Sequence, residues 1–272
     1  MIASIILMVF IGLSIKHLFF WSPVSGSHIY QRPHPLFIAH RGLHKTEPEN
    51  TIPAIKKAIK SGFTAIELDV FSSLDKKIIC SHNIDLERET EGSGFVDGKK
   101  YDELKNITHR TKNNNNNNNK NKNERIPLIS NVLEDLGKGV LLIIDVKTKN
   151  LWDISSAINI VKLIKKFKRK KTVIVSSFNP FLIFLIKWID SKILTGFIIK
   201  NQSYLRLTNI IHPDFFHPRG DTINDEVLSY AEKKRIPINT WTINNALSWT
   251  WLHKKGVKGI ITDEIPQFSQ KL

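Results

Sequence analysis

Apolar and polar positions alternate along the chain at two different periods. From residue 36 onward, short runs rich in β-branched residues, typical of strands, are followed by longer amphipathic runs typical of helices. The predicted strands are 36–40, 64–71, 77–82, 140–146, 172–177, 193–199, 213–217, 236–242 and 258–262. The predicted helices are 51–61, 128–137, 153–168, 179–190, 222–234 and 245–255. This order predicts βα units around a parallel sheet, and 272 residues are enough for one α/β barrel.

The first predicted helix, 51–61, has clear boundaries in the sequence. Asn50 is a residue type that caps helix N-termini, and Pro53 is tolerated in a first turn. Gly62 is a common terminator. We therefore predict that Asn50 caps this helix.

Nine predicted strands are one too many for an eight-stranded barrel, and the stretch "FSSLDKKIICSH" at 71–82 explains the surplus. Only a few polar residues around Asp75 separate its two strand runs, which is too short for the crossover that parallel strands need. We therefore predict a β-hairpin that lays residue 81 or 82 opposite residue 69. His82 then returns to the neighbourhood of Asp69.

The first 21 residues are almost entirely apolar and are interrupted by Lys16 and His17. An apolar helix of roughly 20 residues is long enough to cross a bilayer. We predict an N-terminal hydrophobic helix at 1–21 that is a transmembrane anchor or a signal segment, with the anchor favoured. The Ser- and Pro-containing stretch 22–35 is predicted to be a linker to a barrel at 36–272. A membrane location follows, with the compartment left open.

The charge balance narrows the choice of partners without selecting one. The chain carries 40 Lys and Arg against 25 Asp and Glu, a net charge of +15, which favours anionic partners. Nucleic acid is not predicted, because no nucleic-acid-binding motif accompanies the charge. The single cysteine, Cys80, excludes a disulfide framework and a multi-cysteine zinc site. The Asn-rich stretch 112–123 cannot form a core and is predicted to be a disordered insert.

Acidic side chains cluster near the ends of the predicted strands. Glu67 and Asp69 are two residues apart on one strand, so they point to the same side, and Asp145 ends another strand. The carboxyl ends of barrel strands share one rim, where active sites lie. Carboxylates that face each other repel unless one keeps a proton or a cation joins them, and three oxygen ligands suit Mg²⁺ or Ca²⁺. The alternative is that Glu67 or Asp69 pairs with a surface lysine on a solvated strand.

Two histidines from different strands are predicted to flank the same site. His40 ends the first strand, and His82 is returned by the hairpin. One imidazole can take a proton from an attacking oxygen while the other gives one to a leaving oxygen. Arg41 and Lys147 follow strand ends and can hold a negative phosphate between the histidines.

Nine short stretches together resemble the glycerophosphodiester phosphodiesterase family. They are "IAHRG", "PENT", "IELDV", "HNIDLERETEGSG", "IPLISNVLEDL", "LLIIDVK", "SSFNP", "INTWTIN" and "GIITDEIP", in the family's order. The resemblance implies a TIM (β/α)8 barrel and metal-dependent hydrolysis of glycerophosphodiesters to an alcohol and a phosphomonoester. It also implies the site roles: acid-base catalysis by His40 and His82; phosphate or substrate binding by Arg41, Lys147 and Trp241; metal binding by Glu67, Asp69 and Asp145.

The chain departs from the family pattern at three positions. Asn83 replaces the Asp that usually follows the second histidine, Asp145 replaces a Glu, and Glu89 in "RET" replaces a Thr. Asn83 and Asp145 leave open a catalytically silent, membrane-associated barrel that binds phospholipid or a metal ion. Within the enzyme reading, the predicted substrate is a glycerophosphodiester or a lysophospholipid. The oligomeric state is not predicted.

Overall fold

The computed structural model of the chain describes residues 2–19, 21–24, 26–30, 34–110 and 124–266. Its centre is one sheet of nine strands. They are β1 (Leu36–His40), β2 (Ala65–Ser72), β3 (Ile78–Cys80), β4 (Leu141–Val146), β5 (Val173–Ser177), β6 (Leu194–Ile199), β7 (Phe215–Pro218), β8 (Asn239–Thr240) and β9 (Gly259–Thr262). The predicted strands are therefore all present, most of them within one or two residues of the predicted bounds.

Eight of these strands are parallel and close into a barrel. Their order is β7-β6-β5-β4-β2-β1-β9-β8, and β3 pairs only with β2, in antiparallel sense. Single parallel bridges join Phe216 to Ile238 and Arg219 to Trp241, which connects the two ends of the path. The strand β8 is shorter than the predicted 236–242, and Pro237, two residues before it, has no N–H to donate to a ladder. The predicted TIM barrel is confirmed.

The helices follow the strands as predicted and add short ones that the pattern did not indicate. They are α1 (Ile2–Phe19), α2 (Ile52–Lys60), α3 (Tyr101–Leu104), α4 (Ile129–Asp135), α5 (Ile154–Lys166), α6 (Pro180–Ile189), α7 (Thr208–Ile211), α8 (Asp225–Lys234) and α9 (Ala246–Lys254). Thr51, not Asn50, caps α2, and its hydroxyl accepts a hydrogen bond from the amide of Ala54. The prediction for Asn50 was wrong because its side chain binds the strand β2 instead.

Alternation along the strands separates two apolar layers. On β2, Ile66, Leu68 and Val70 belong to the core between the sheet and the helices, whereas Ala65 belongs to the core inside the barrel. The inner core consists of side chains from the beginnings and middles of the strands: Leu36, Ile38, Ala65, Leu141, Ile143, Ile174, Leu194, Phe215 and Ile261. Glu67 and Asp69 continue the inward row of β2 above this core.

The hairpin between β2 and β3 has the predicted geometry. Val70 pairs with Cys80, and the amide of Ser81 donates to the carbonyl of Asp69 at 3.0 Å. Residue 81 therefore lies opposite residue 69. The chain beyond β3 forms an arm with short 3₁₀ helices at Leu86–Arg88 and Val96–Gly98 and its own small core of Ile79, Leu86, Val96, Leu104 and Ile126.

The N-terminal segment is helical and touches the barrel at its end. The His17 ring lies 4.0 Å from that of His212, and its Nε2 is 2.9 Å from the carbonyl of Ile210. In the described part of the chain, no helix combines the length and the apolar character needed to cross a bilayer. The predicted transmembrane anchor at 1–21 is therefore not confirmed.

The predicted linker, 22–35, contacts the barrel at the end where the strands begin. The amide of Val24 donates to Asp214 at 2.7 Å, and the Tyr30 hydroxyl donates to Asn239 at 2.6 Å. The Gly26 backbone lies directly against the Phe215 ring. The predicted insert 112–123 and the last residues of the predicted barrel, 267–272, lie outside the described residues.

Candidate active site

All eight residues predicted from the sequence line one cavity of about 170 Å³ at the carboxyl ends of the strands. His40 is the last residue of β1, and Arg41, Lys147 and Trp241 follow directly after β1, β4 and β8. Glu67, Asp69 and Asp145 belong to β2 and β4, and His82 comes two residues after β3. The remaining lining residues are Ser176, Phe178, Ile198, Lys200, His217 and Ile261. The structure thus brings the predicted site together, and the roles assigned to its residues stay predictions.

Glu67, Asp69 and Asp145 form a buried acidic group. They are 5%, 2% and 5% exposed, and one carboxyl oxygen from each lies within 4.8 Å of the others. Asp69 and Asp145 are direct partners across the β2–β4 ladder, and His40 is the partner of Glu67 across β1–β2. The solvated-strand alternative for Glu67 and Asp69 is therefore wrong.

Burial and mutual repulsion work against full ionisation of this group. The pKa of Glu67 is well above its usual range because of burial and the charges of Asp69 and Asp145. Burial, opposed by Lys147 and reinforced by Asp69, raises the pKa of Asp145 to about 6. Although burial pushes the pKa of Asp69 upward, Lys147 and Arg41 hold it below its usual value. Asp145 Oδ1 is buried, and no group among the described residues donates a hydrogen bond to it.

These properties fit a divalent cation. Three carboxylates with one oxygen each facing a common point are the ligand set that Mg²⁺ and Ca²⁺ prefer. A buried carboxylate oxygen without a donor is costly unless an ion or a proton joins it. Glu67, Asp69 and Asp145 are thus the residues that could hold a metal ion here.

Two positively charged side chains, Lys147 and Arg41, lie beside the acidic group. Lys147 Nζ is 2.9 Å from Asp69 Oδ1 and also forms a short contact with Asp145 Oδ2. Burial works against the positive charge, but Asp145 and Asp69 outweigh it and raise the pKa of Lys147 above its usual value. Arg41 Nε is 3.0 Å from Asp69 Oδ2, and its NH1 donates to Glu49 at 2.7 Å. Both side chains remain charged and are positioned to attract an anion.

A sharp turn after β1 places Arg41. Arg41 and Gly42 both have positive φ, 54° and 76°. A Cβ on Gly42 would lie 2.7 Å from the backbone of Ala54, so only glycine fits at this position. The turn is held by the amide of Asn50, which donates to the Arg41 carbonyl, while the Asn50 side chain accepts from the amide of Asp69.

His40 has an ionised carboxylate behind it. Its Nδ1 lies 2.7 Å from Asp263 Oδ1, so Nε2 is the ring nitrogen left for the cavity. Asp263 also lies 2.9 Å from His44 Nε2 and accepts from Asn244 Nδ2 at 2.7 Å. Burial raises the pKa of Asp263, but these partners outweigh it and keep the pKa far below the usual value. Asn244 and Asp263 lie in the stretches "INTWTIN" and "GIITDEIP": the sequence places Asn244 at a strand end without a role, and Asp263 was not predicted to belong to the site.

His82 stands in a different environment at the edge of the hairpin. Its side chain is 33% exposed, and Nδ1 lies 3.8 Å from Glu89 Oε1. Burial lowers the pKa of His82, Asp69 raises it, and Arg41 and Lys147 lower it further, so that the net shift is downward. The ring is therefore neutral at neutral pH.

Aromatic and basic side chains form the far wall of the cavity. Trp241 Nε1 donates to the carbonyl of His217 at 2.8 Å, and the indole meets the Phe178 ring edge to face at 5.7 Å. Lys200 Nζ lies 4.6 Å from the centre of the Phe178 ring. Trp241 follows a predicted strand end and took its substrate role from the family resemblance. Phe178 lies in the stretch "SSFNP" but was given no role, and Lys200 was not predicted, because it lies in a loop without periodicity.

Comparison with known proteins places this arrangement in a family. The family model described as "Glycerophosphoryl diester phosphodiesterase family" matches residues 40–267. A glycerophosphodiester phosphodiesterase from Caldanaerobacter subterraneus subsp. tengcongensis is 30% identical over 237 residues, which cover 84% of this chain and 94% of that protein.

Solved structures agree in fold. A phosphodiesterase from Oleispira antarctica, solved in complex with the product sn-glycerol-3-phosphate, matches with a TM-score of 0.79 at 21% identity, over 89% of this chain and 96% of that one. A glycerophosphodiester phosphodiesterase from Thermotoga maritima matches with a TM-score of 0.69 at 23% identity, over 86% and 97%. With the family match over most of the barrel, the chain belongs to the glycerophosphoryl diester phosphodiesterase family and is a phosphoric diester hydrolase.

Proposed function

We propose that the chain hydrolyses glycerophosphodiesters to an alcohol and a glycerol phosphate, with a divalent cation and two histidines as acid and base. The observation that carries this proposal is the convergence of His40, His82 and the acidic group of Glu67, Asp69 and Asp145 on one cavity. The names of the relatives support the same substrate class, since they are glycerophosphodiester phosphodiesterases.

The cation would be held by Glu67, Asp69 and Asp145, and Mg²⁺ or Ca²⁺ suits this oxygen set. When bound, such an ion acts as a Lewis acid on the phosphoryl oxygens. These three carboxylates would hold the ion at the rim, and Lys147, which contacts Asp69 and Asp145, would bind the phosphate beside them.

The protein's own groups divide the remaining work. Arg41 and Lys147 bind the phosphate, because their positive charges attract its negative charge. His82, neutral at neutral pH, accepts a proton from the attacking oxygen. His40, oriented by Asp263, gives a proton to the leaving alkoxide, so that one proton enters and one leaves in each turnover. Trp241 and Phe178 offer an apolar wall for the glycerol carbon atoms.

The test is a product assay on purified protein. Soluble glycerophosphocholine and a lysophosphatidylcholine are offered with Mg²⁺ or Ca²⁺, and released choline and phosphomonoesters are identified. We expect glycerol 3-phosphate and choline from the soluble diester, and loss of both in His40→Ala and Glu67→Ala. Lysophospholipid is the second predicted substrate. The same assay compares its rate of hydrolysis with that of the soluble diester.

A catalytically silent barrel is the competing outcome of that assay. Bound divalent ion without product from either substrate would support it and would refute the proposed hydrolysis. Retained turnover in both variants would refute the assigned site.

The proposal of a membrane location rests on α1. Apolar side chains on this helix are exposed, among them Met8 and Phe10. Sedimentation of the full chain with phospholipid vesicles is the expected result, weakened in Phe10→Asp. Equal sedimentation of the protein with and without vesicles would contradict it.

A further inference from the structure

A polar cluster that the proposed reaction does not use lies behind His82. Glu89 follows the 3₁₀ helix Leu86–Arg88, and its side chain is only 13% exposed. Its Oε1 accepts a short hydrogen bond from Asn83 Nδ2 and lies 3.8 Å from His82 Nδ1. A carboxyl group therefore faces the Nδ1 edge of the imidazole.

Glu49 lies on the other side of Glu89. One side-chain nitrogen or oxygen atom from each of Glu49, His82 and Glu89 lies within 4.8 Å of the other two. Glu89 Oε2 is buried, and within the described ranges no donor reaches it. Two adjoining carboxyl groups do not both ionise cheaply, so one of them holds a proton.

Arg41 decides which carboxyl group holds this proton. Its guanidinium pairs with Glu49 at 2.7 Å and keeps the pKa of Glu49 below its usual value despite burial. The proton therefore stays on Glu89, whose pKa is raised to about 8 by burial and by the charge of Glu49. Glu89 can then donate to Glu49 with one oxygen and accept with the other.

The Asn83 amide holds the Glu89 carboxyl group in place. Its Nδ2 donates a short hydrogen bond to Glu89 Oε1, the same oxygen that lies 3.8 Å from His82 Nδ1. Removal of one partner alone would leave the other buried without its hydrogen bond.

We propose that Glu89 is a positioning residue for His82: its carboxyl group, fixed by Asn83 and Glu49, holds the imidazole by its Nδ1 edge and leaves Nε2 for the substrate oxygen. The two atoms are 3.8 Å apart in this structure, and the proposal requires that they come within hydrogen-bond distance when substrate fills the cavity. This inference rests on the proposed function, since it assumes that His82 handles a proton in the reaction.

The kinetic test compares three substitutions in the full chain. Glu89→Ala is expected to lower kcat about 10- to 100-fold with KM within about twofold, the size of effect that loss of an orienting partner has. Glu89→Gln is expected to recover most of this loss, because a neutral amide can still accept from Asn83 and donate to Glu49. Glu91→Ala, an exposed neighbour in the same arm, is the matched control and should leave kcat unchanged.

A change carried by KM, or an unchanged kcat in a folded Glu89→Ala variant, overturns the inference. If Glu89→Ala does not fold, Glu89→Thr is compared with Asn83→Asp/Glu89→Thr, which moves the carboxyl group to the other side of the contact. We expect the double variant to regain at least about fivefold in kcat over the single one. No gain overturns the inference.

A second readout does not depend on activity. The ¹⁵N shifts of the His82 ring are expected to report the tautomer protonated at Nδ1 in the wild type, and to shift toward the other tautomer in Glu89→Ala. If the wild type hydrolyses nothing but the tautomer responds to Glu89, the proposed function fails and the positioning holds. If hydrolysis requires His82 and neither kcat nor tautomer responds to Glu89, the positioning alone is wrong.

Discussion

The two ends of the barrel are built from the same strands and are physically opposite. At the end where the strands begin, the interior consists of side chains such as Leu36, Leu194 and Phe215, and Gly26 and Tyr30 lie against it. At the end where the strands finish, the same inward rows continue as His40, Glu67, Asp69 and Asp145. The first end contributes stability through apolar burial, whereas the second loses stability by burying like charges.

The difference teaches where each kind of substitution should act. A change at the apolar end should alter unfolding and leave the chemistry intact, and a change at the charged end should mainly alter the chemistry and the dependence of stability on ions and pH. The predictions below test this separation.

Phe215→Ala should give the largest effect, a loss of about 3–5 kcal/mol in the free energy of unfolding. The ring is fully buried and contacts the Gly26 backbone and the Tyr30 ring. Urea unfolding measures the loss, and kcat of the folded fraction should be unchanged. Phe95→Ala, at an exposed phenylalanine, is the matched control and should change stability little. A marked fall in kcat of the folded Phe215→Ala protein would contradict the separation between the two ends of the barrel.

Asp263→Asn should lower kcat about 100-fold, because the amide neither supplies charge to His40 nor fixes its tautomer as the carboxylate does. Unfolding free energy should change by less than it does in Phe215→Ala, since Asp263 is partly exposed. Steady-state kinetics and urea unfolding on the same sample measure both. Asp225→Asn, at an exposed carboxylate, is the control. A wild-type kcat in Asp263→Asn would show that Asp263 does not support His40 in the reaction.

A divalent ion should stabilise the charged end. At a concentration about 100-fold above its Kd, an ion that binds only the folded chain adds roughly 2.7 kcal/mol, which corresponds to a rise in Tm of several degrees. Thermal unfolding with Mg²⁺, Ca²⁺ or EDTA measures the shift, and Asp145→Asn should reduce it. An equal shift in the wild type and in Asp145→Asn would place the ion elsewhere.

The smallest expected effect is a pH dependence of stability without the ion. Asp145 has a pKa of about 6 in the folded chain against 3.8 ordinarily, so between these values the folded state binds more protons than the unfolded one. Stability therefore falls as pH rises from about 4 to about 6. Asp145→Asn should match the wild type at pH 4 and exceed it by about 1–2 kcal/mol at pH 7 in EDTA. If the free energies of unfolding of Asp145→Asn and the wild type differ by the same amount at both pH values, the raised pKa of Asp145 is contradicted.

The features of the fold and of the site that the sequence predicts are those that depend on local interactions. The inward row of β2 and the return of His82 depend on a period of two and on one short turn, both of which are local. They were predicted correctly. Asp263 reaches His40 only because β9 lies beside β1 when the barrel closes, across more than two hundred residues of chain, and Asn244 contacts Asp263 in turn.

Other parts escaped the sequence for local reasons. The arm from residue 84 to 110 has neither helical nor strand periodicity, so the approach of Glu89 to His82 was not predicted. Asn50 fits the preference for helix caps, and tertiary contact with Asp69 overrode that preference. Sequence patterns thus found the strands and their facing, while the partners of the two histidines became visible only in the closed barrel.

The most direct test of the central claim is a joint titration of ion binding and hydrolysis. Mg²⁺ is added to metal-free protein while calorimetry measures binding and choline release measures turnover of glycerophosphocholine. We predict that both follow one curve with one ion per chain, and that both are lost in Glu67→Gln. Hydrolysis in excess EDTA, or undiminished ion binding in Glu67→Gln, would contradict the account.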